Sequence, residues 1–177
     1  MTSKQIQVGR CSFIPPEGFV VQKESSLTSP HPSGYMTCAD GTIPICITHT
    51  STKIYPDVPD FSNCPEEMNP VAYPVSITLT TFMAHGNAHP MDHLRKTDQV
   101  LQGHFKNFKI GFYKKYMVGK YQAALSQCSF VTNFRIYRLN CAWFAEKELL
   151  VSTMMVTESG VEKGWNDLRR FVESVHL

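Results

Sequence analysis

The sequence predicts an α+β fold in which one mostly antiparallel sheet of about six strands carries a central and a C-terminal helix. Three observations lead to this class. Strand-like runs at 108–116, 120–131, 134–144 and 149–156 are separated only by short punctuating segments. Residues 75–82 are rich in β-branched side chains and alternate with period two, and the last segment has helical apolar spacing. Such short separators join neighbouring strands as hairpins, so the sheet is expected to contain an antiparallel meander.

The N-terminal part of the chain predicts two short strands around a turn. An apolar run at 10–14 ends at Pro15, Pro16 and Gly18, and a strand-like pattern then resumes from Phe19 to about residue 27. From 30 to 74 prolines recur, and only 43–50 (IPICITHT) is a plausible strand. We interpret 30–74 as a Pro-rich irregular insertion within a single domain that spans 1–177.

Two helices are expected. The central helix begins at Pro90, a residue suited to the first helical position, and ends at Gly103. The C-terminal helix begins at a capping box, Ser159 to Glu162. Its apolar stripe is Val161, Trp165, Leu168, Val172 and Val175, and its predicted solvent face carries Glu162, Lys163, Asp167, Arg169, Arg170 and Glu173.

Composition limits the class of protein without naming a function. The 177 residues are 42% hydrophobic and 18% charged with a formal charge of +2, which excludes disordered and collagen-like chains. No run approaches the ~20 apolar residues that span a bilayer, and the start shows no secretory signal. We therefore expect a cytoplasmic protein whose six cysteines are mostly free thiols.

Two motifs carry a family resemblance. The opening strand and turn read FIPPEGF at 13–19, and the last helix ends FVESV at 171–175. With the strand, helix, meander and helix between them, these motifs resemble the DcrB-like branch of the Mog/PsbP-like fold group over residues 10–28 and 75–176. The resemblance implies a Mog/PsbP-like sandwich.

The resemblance also implies a class of function. Members of that group are mostly non-enzymatic: extrinsic photosystem II subunits, a Ran-GTPase binding protein, periplasmic lipoproteins, and cytosolic chaperones that hold hydrophobic helices of type VI secretion effectors. Because no lipobox cysteine follows a signal here, the N-terminus is compatible with a cytosolic chaperone or adaptor.

Two groups of residues could bind metal. His85, His89 and His93 form H-x3-H-x3-H, which would stack three imidazoles on one helix face if all three were helical. Gly86 and Pro90 interrupt that helix, so polar residues around a helix start are the competing interpretation, and the absence of H-E-x-x-H removes the usual base of a metalloprotease.

The second group lies in the predicted insertion. Cys38, Cys46, His49 and Cys64 are suitable zinc ligands, and Cys46 and His49 have knuckle-like spacing. Free thiols are the leading interpretation of these cysteines, a structural zinc and a disulfide are the alternatives, and no cofactor is predicted.

The charges are unevenly distributed. Between Asp98 and Glu146 the chain has no acidic residue. The basic residues there are Lys106, Lys109, Lys114, Lys115, Lys120, Arg135 and Arg138. They could form an ordinary solvent-exposed face, dock the 30–74 insertion, or, through the basic–aromatic stretch 106–120, bind an anionic polymer or lipid. The insertion is acidic, since it carries one lysine, Lys53, against Asp40, Asp57, Asp60, Glu66 and Glu67.

The meander carries more large apolar side chains than one sheet face usually needs. Six are candidate partner-binding residues: Tyr113, Tyr116, Tyr121, Tyr137, Trp143 and Phe144. Either the helices cover them, or they form an open apolar groove for a partner helix. The leading hypothesis is a non-catalytic cytosolic domain, a chaperone or adaptor associated with protein secretion, that binds a protein through an apolar sheet face. No DNA or RNA partner is expected. An enzyme using the histidine cluster and an anionic-polymer or lipid binder are the alternatives.

Overall fold

The computed structural model describes residues 4–8, 11–21, 45–59, 72–83 and 89–177. Its strands are β1 (Ile6–Val8), β2 (Cys11–Phe13), β3 (Phe19–Val21), β4 (Ile45–His49), β5 (Val58–Pro59), β6 (Ala72–Tyr73), β7 (Ser76–Met83), β8 (Lys109–Val118), β9 (Tyr121–Val131), β10 (Arg135–Ala145) and β11 (Glu148–Thr157). Its α-helices are α1 (Pro90–His104) and α2 (Val161–Ser174), and a 3-10 turn, Glu158–Gly160, precedes α2.

The main sheet has seven strands in the order β3-β4-β7-β11-β10-β9-β8, and every neighbouring pair is antiparallel. The predicted α+β class is confirmed, with seven strands in this sheet rather than about six. The meander β8 to β11 forms because each strand pairs with the next one along the chain. The hairpins β1-β2 and β5-β6 form separate two-stranded sheets.

Part of the predicted insertion belongs to the core. Strand β4 lies between β3 and β7, where Ile45 pairs with Leu79 and Ile47 with Ile77. Tyr55 and Val58, further along the segment, are buried. The strand predicted within 43–50 is confirmed as Ile45–His49, and the prolines flank it rather than interrupt it. The sequence did not predict that this strand lies inside the main sheet or that Tyr55 and Val58 are buried. The remainder of 30–74, apart from 72–74, lies outside the described residues.

Helix α2 covers one face of the sheet. Its Leu168, Phe171 and Val172 are fully buried against β10 and β11 in the larger hydrophobic cluster. The N-terminal hairpin joins this layer through Phe13, whose ring meets that of Phe171 edge-on at 5.3 Å. This arrangement gives the sandwich that the resemblance implies.

The start of α2 differs from the prediction. Gly160 caps the helix and no side chain makes a capping hydrogen bond, so the predicted capping box does not form. Ser159 lies instead in the 3-10 turn, with its hydroxyl 3.3 Å from that of Thr157. Asp167, predicted on the solvent face, is buried at 2% exposure.

Helix α1 covers part of the opposite face, where it packs on β8, β9 and β10. Met91 and Leu94 meet Ala124 and Ala142 in a smaller hydrophobic cluster. The helix begins at Pro90, as predicted, and ends at His104, one residue beyond the predicted stop. No helix in the described part of the chain is both long and apolar enough to cross a bilayer.

Candidate binding surface on the edge strand

Strand β8 ends the sheet and pairs only with β9 among the described residues. Ten residues of backbone therefore present alternate N–H and C=O groups on an open side. Three apolar side chains of this strand are exposed: Ile110 (50%), Phe112 (39%) and Met117 (50%). We define the edge surface as these three residues together with the exposed lysines of the strand, Lys109, Lys114 and Lys115.

A β-bulge sets which side chains of β8 point to which face. The register shifts between Ile110 and Phe112, at Gly111. A Cβ at Gly111 would lie 3.0 Å from the backbone oxygen of Gln127, so glycine permits this close approach. After the bulge Tyr113 pairs with Ser126 and points to the α1 side, and the alternation places Phe112 and Tyr116 on the α2 side.

Two tyrosines hold the edge strand between the helices. The Tyr113 hydroxyl donates to Asp98 Oδ2 of α1 at 2.8 Å, and the Tyr116 hydroxyl donates to Glu173 Oε1 of α2. Burial, followed by the hydrogen bond to Glu173, raises the pKa of Tyr116 to about 12. Burial and Asp98 also raise the pKa of Tyr113. Both phenols are therefore neutral donors at physiological pH.

The six predicted partner-binding aromatics do not form one surface. Tyr113 and Phe144 pack on the α1 side against the smaller cluster. Tyr116, Tyr121 and Tyr137 pack against the larger cluster on the α2 side. Trp143 is only 1% exposed, so it is not available for direct contact with a partner. The correction follows from strand alternation, which divides the set between two faces, and a binding role for the other five stays a prediction.

A buried polar cluster lies beneath α1, and the sequence analysis did not identify it. Arg138 Nη1 is 3.7 Å from Asp98 Oδ1, and Arg138 Nη2 donates to Thr153 Oγ1 at 3.4 Å. Thr153 then donates to Asn140 Oδ1, and Asn140 donates to Ser126 Oγ, both at 3.0 Å. The available indication was that Arg138 and Asn140 alternate with apolar residues along one strand, which places both on a single face.

Burial favours the neutral forms of the cysteine and the histidine of this region. Burial, followed by the nearby Asp98, raises the pKa of the Cys128 thiol to about 12, so it is protonated at neutral pH. Burial, followed by the positive charges of Arg138 and Lys96, lowers the pKa of His93. These groups attach α1 to the sheet.

The predicted histidine cluster does not assemble in the described residues. His89 Nδ1 accepts a hydrogen bond from the backbone N–H of Met91 at 3.2 Å and caps α1. His93 packs against the ring of Phe82 at 5.5 Å. His85 lies outside the described residues, within which no three metal-ligating side chains come together.

The placement of Cys46 and His49 does not favour the zinc alternative. Both lie on β4 three residues apart, so their side chains point to opposite faces. The His49 ring is buried between those of Phe19 and Tyr55, 5.0 Å from each, and its Nδ1 accepts from the backbone N–H of Ser51. Cys38 and Cys64 lie outside the described residues.

Comparisons with known proteins show the fold. No family model matches the chain, and no curated protein matches its sequence. Among solved structures, cyanobacterial PsbP (CyanoP) from Synechocystis is similar with a TM-score of 0.60 and 7% identity, over 98% of this chain and 91% of the other. LpqN, involved in cell envelope biogenesis of Mycobacterium tuberculosis, gives 0.56 and 12% over 97% and 88%. The Ran-binding protein Mog1p from Saccharomyces cerevisiae gives 0.53 and 12% over 99% and 95%.

These likenesses confirm a Mog/PsbP-like fold. At sequence identities of 7% and 12%, these likenesses are evidence for the fold alone, because function resides in sites that differ among proteins of one fold. Membership of the DcrB-like branch stays a prediction.

Proposed function

We propose that this chain is a non-catalytic domain that binds a protein partner through the edge surface. The observation that carries the proposal is the ten-residue strand β8, which ends the sheet and exposes three large apolar side chains beside three lysines. The sequence predicted that a partner binds an apolar sheet face, but α2 covers that face over β10 and β11. We therefore place the binding site at the edge of the sheet.

Two further observations support this function. Asp98 and Arg138 beneath α1 form a charge pair with each other, and the raised pKa of Cys128 keeps that thiol protonated at neutral pH. In addition, one protein of the same fold, Mog1p, is a Ran-binding protein, which is a precedent for protein recognition by this architecture. The finer role that we propose is a cytosolic chaperone or adaptor associated with protein secretion, of the DcrB-like branch.

Site-specific photo-crosslinking tests the position of the interface. A photoreactive phenylalanine analogue replaces Phe112 or Met117 of the edge surface in the native host, and the adducts are identified by mass spectrometry. Matched controls replace Val100 on α1 and Ile54, which are 61% and 48% exposed and lie off the edge surface. The proposal predicts one identified protein at both edge positions and not at the controls. Equal capture at Val100, or no protein adduct at either edge position, would reject it.

A further inference from the structure

We infer that the edge surface takes an extended, acidic segment of the partner, which adds to the sheet as a strand beside β8. This inference rests on the proposed function and names the chemistry of the partner. Strand addition satisfies the open backbone groups of an edge strand by main-chain hydrogen bonds, while side chains on alternate positions set the specificity.

The geometry of β8 suits an added strand. Its ten residues span roughly 33 Å at about 3.3 Å per residue, longer than most strands. The hydrogen bonds of Tyr113 to α1 and of Tyr116 to α2 hold the strand from both faces. The edge is therefore fixed in place before a partner arrives, which lowers the entropy cost of binding.

The charges of the edge select an acidic partner. Lys109 and Lys114 point to the α2 side and Lys115 to the α1 side, and all three are exposed. The nearby carboxylates of Asp98 and Glu173 already accept the two tyrosine hydroxyls. An incoming strand thus meets positive charge on both faces, and cross-strand pairs of opposite charge stabilise an added strand.

The same lysines disfavour a second copy of this chain. Two β8 edges side by side would bring their lysines close together, and like charges across a strand pair are destabilising. The exposed Ile110, Phe112 and Met117 remain as contacts for apolar side chains of the partner. Because lysines and apolar side chains of β8 lie on both faces, the partner segment is expected to carry acidic and apolar residues on each of its two faces.

Synthetic peptides test the inference on the full chain. The probe is a fluorescent peptide of about eight residues in which pairs of glutamates alternate with pairs of valines, so that each face of the strand carries both residue types. One control peptide carries lysine in place of glutamate, and a second keeps every side chain but has alternate backbone amides N-methylated. Fluorescence anisotropy should show saturable binding of the acidic peptide, about tenfold weaker binding of the N-methylated peptide, and none of the lysine peptide.

A charge-reversed variant and its matched control locate the site. The charge-reversed variant combines Lys109→Glu, Lys114→Glu and Lys115→Glu and should abolish binding of the acidic peptide. The control variant combines Lys4→Glu, Lys53→Glu and Lys147→Glu, which make the same change in charge at exposed positions away from β8. The control should keep the affinity for the peptide within about twofold. All six lysines are exposed, and far-UV circular dichroism checks that both variants are folded. In the complex, amides of β8 should gain protection from hydrogen exchange.

Three outcomes would overturn the inference. Equal affinity of the N-methylated and parent peptides would mean charge attraction without strand addition. A single-stranded oligonucleotide or an anionic vesicle could compete as effectively as unlabelled peptide. That result would mean that the edge surface binds anions in general. Dimers detected by light scattering and lost in the charge-reversed variant would mean that a second copy occupies the edge. If only the peptides fail while the crosslinks at Phe112 and Met117 stand, the proposed function survives with a partner of different chemistry.

Discussion

The hydroxyl of Tyr55 donates a hydrogen bond of 2.7 Å to Asp167 Oδ2, across 112 residues of sequence. Lys163 Nζ donates to the same oxygen at 2.9 Å and lies 5.5 Å from the centroid of the Tyr55 ring. The buried carboxylate of Asp167 is thus compensated by one neutral and one charged donor. This contact attaches the 51–59 segment to α2 and explains why a carboxylate of that helix is buried.

Replacing Tyr55 with phenylalanine removes that donor and keeps the ring. We expect Tyr55→Phe to lower the free energy of unfolding by about 1–2 kcal/mol, because Asp167 loses a buried charge-assisted hydrogen bond but keeps Lys163. Urea unfolding measures the change. The control is Tyr121→Phe, which removes a hydroxyl from a half-buried ring in the meander and should change the free energy by less than about 0.5 kcal/mol. Equal effects of the two substitutions would show that the bond to Asp167 contributes nothing specific.

The charge pair beneath α1 is expected to be strongly coupled. Asp98→Asn or Arg138→Met alone leaves a charge without its partner in a buried site and should cost about 3 kcal/mol. The double variant removes both charges, so its cost should be smaller than the sum of the single costs by about 1–3 kcal/mol. A double-mutant cycle in urea measures this coupling. Strict additivity would show that the two groups, 3.7 Å apart, do not interact energetically.

His93 should make the protein less stable in acid. Its pKa lies below the ordinary value of 6.5, so folding favours the neutral imidazole. The stability that this provides is complete above pH 6.5 and is lost as the pH falls through the lower folded value. His93→Gln cannot titrate, so its free energy of unfolding should fall less than that of the native chain between about pH 7 and pH 5. His176→Gln, at an exposed position, is the control and should keep the native pH profile.

Two glycines should respond to alanine in opposite directions. Gly18 has φ +84°, and a Cβ there would lie 2.5 Å from His49 Nε2, so Gly18→Ala should cost about 2 kcal/mol or more. Gly103 lies in α1 with no atom within 4 Å of the added Cβ. Gly103→Ala should stabilise the chain by about 0.5–1 kcal/mol through helix propensity. Thermal unfolding of the two variants gives the comparison, and a stable Gly18→Ala protein would contradict the packing described around His49.

The sequence predicted the parts of the fold that depend on local contacts. The meander and the start of α1 at Pro90 follow from hairpin spacing and helix-start preferences, which act between near neighbours. The place of β4 depends on pairing with β3 and β7, which lie far from it in sequence. The burial of Asp167 depends likewise on Tyr55, and that of Arg138 on Asp98. A one-dimensional pattern could not assign those partners.

The exposed edge was predictable only in part. The lysines and aromatics of 106–120 were evident, but the end position of β8 in the sheet follows from the whole strand order. That order decides which strand keeps an open side. It is the reason why the proposed binding site lies at the edge of the sheet and not on the sheet face that the sequence predicted.

The junction between the chain ends has a kinetic consequence. Ser12 and His176 exchange two backbone hydrogen bonds of 2.8 Å, and Ile14 N–H donates to Ser174 Oγ at 2.9 Å. Closing so large a loop carries a greater entropy cost than forming the meander, whose strands meet their sequence neighbours. During refolding the meander is therefore expected to form first, and the N-terminal hairpin and the end of α2 to become ordered last and together.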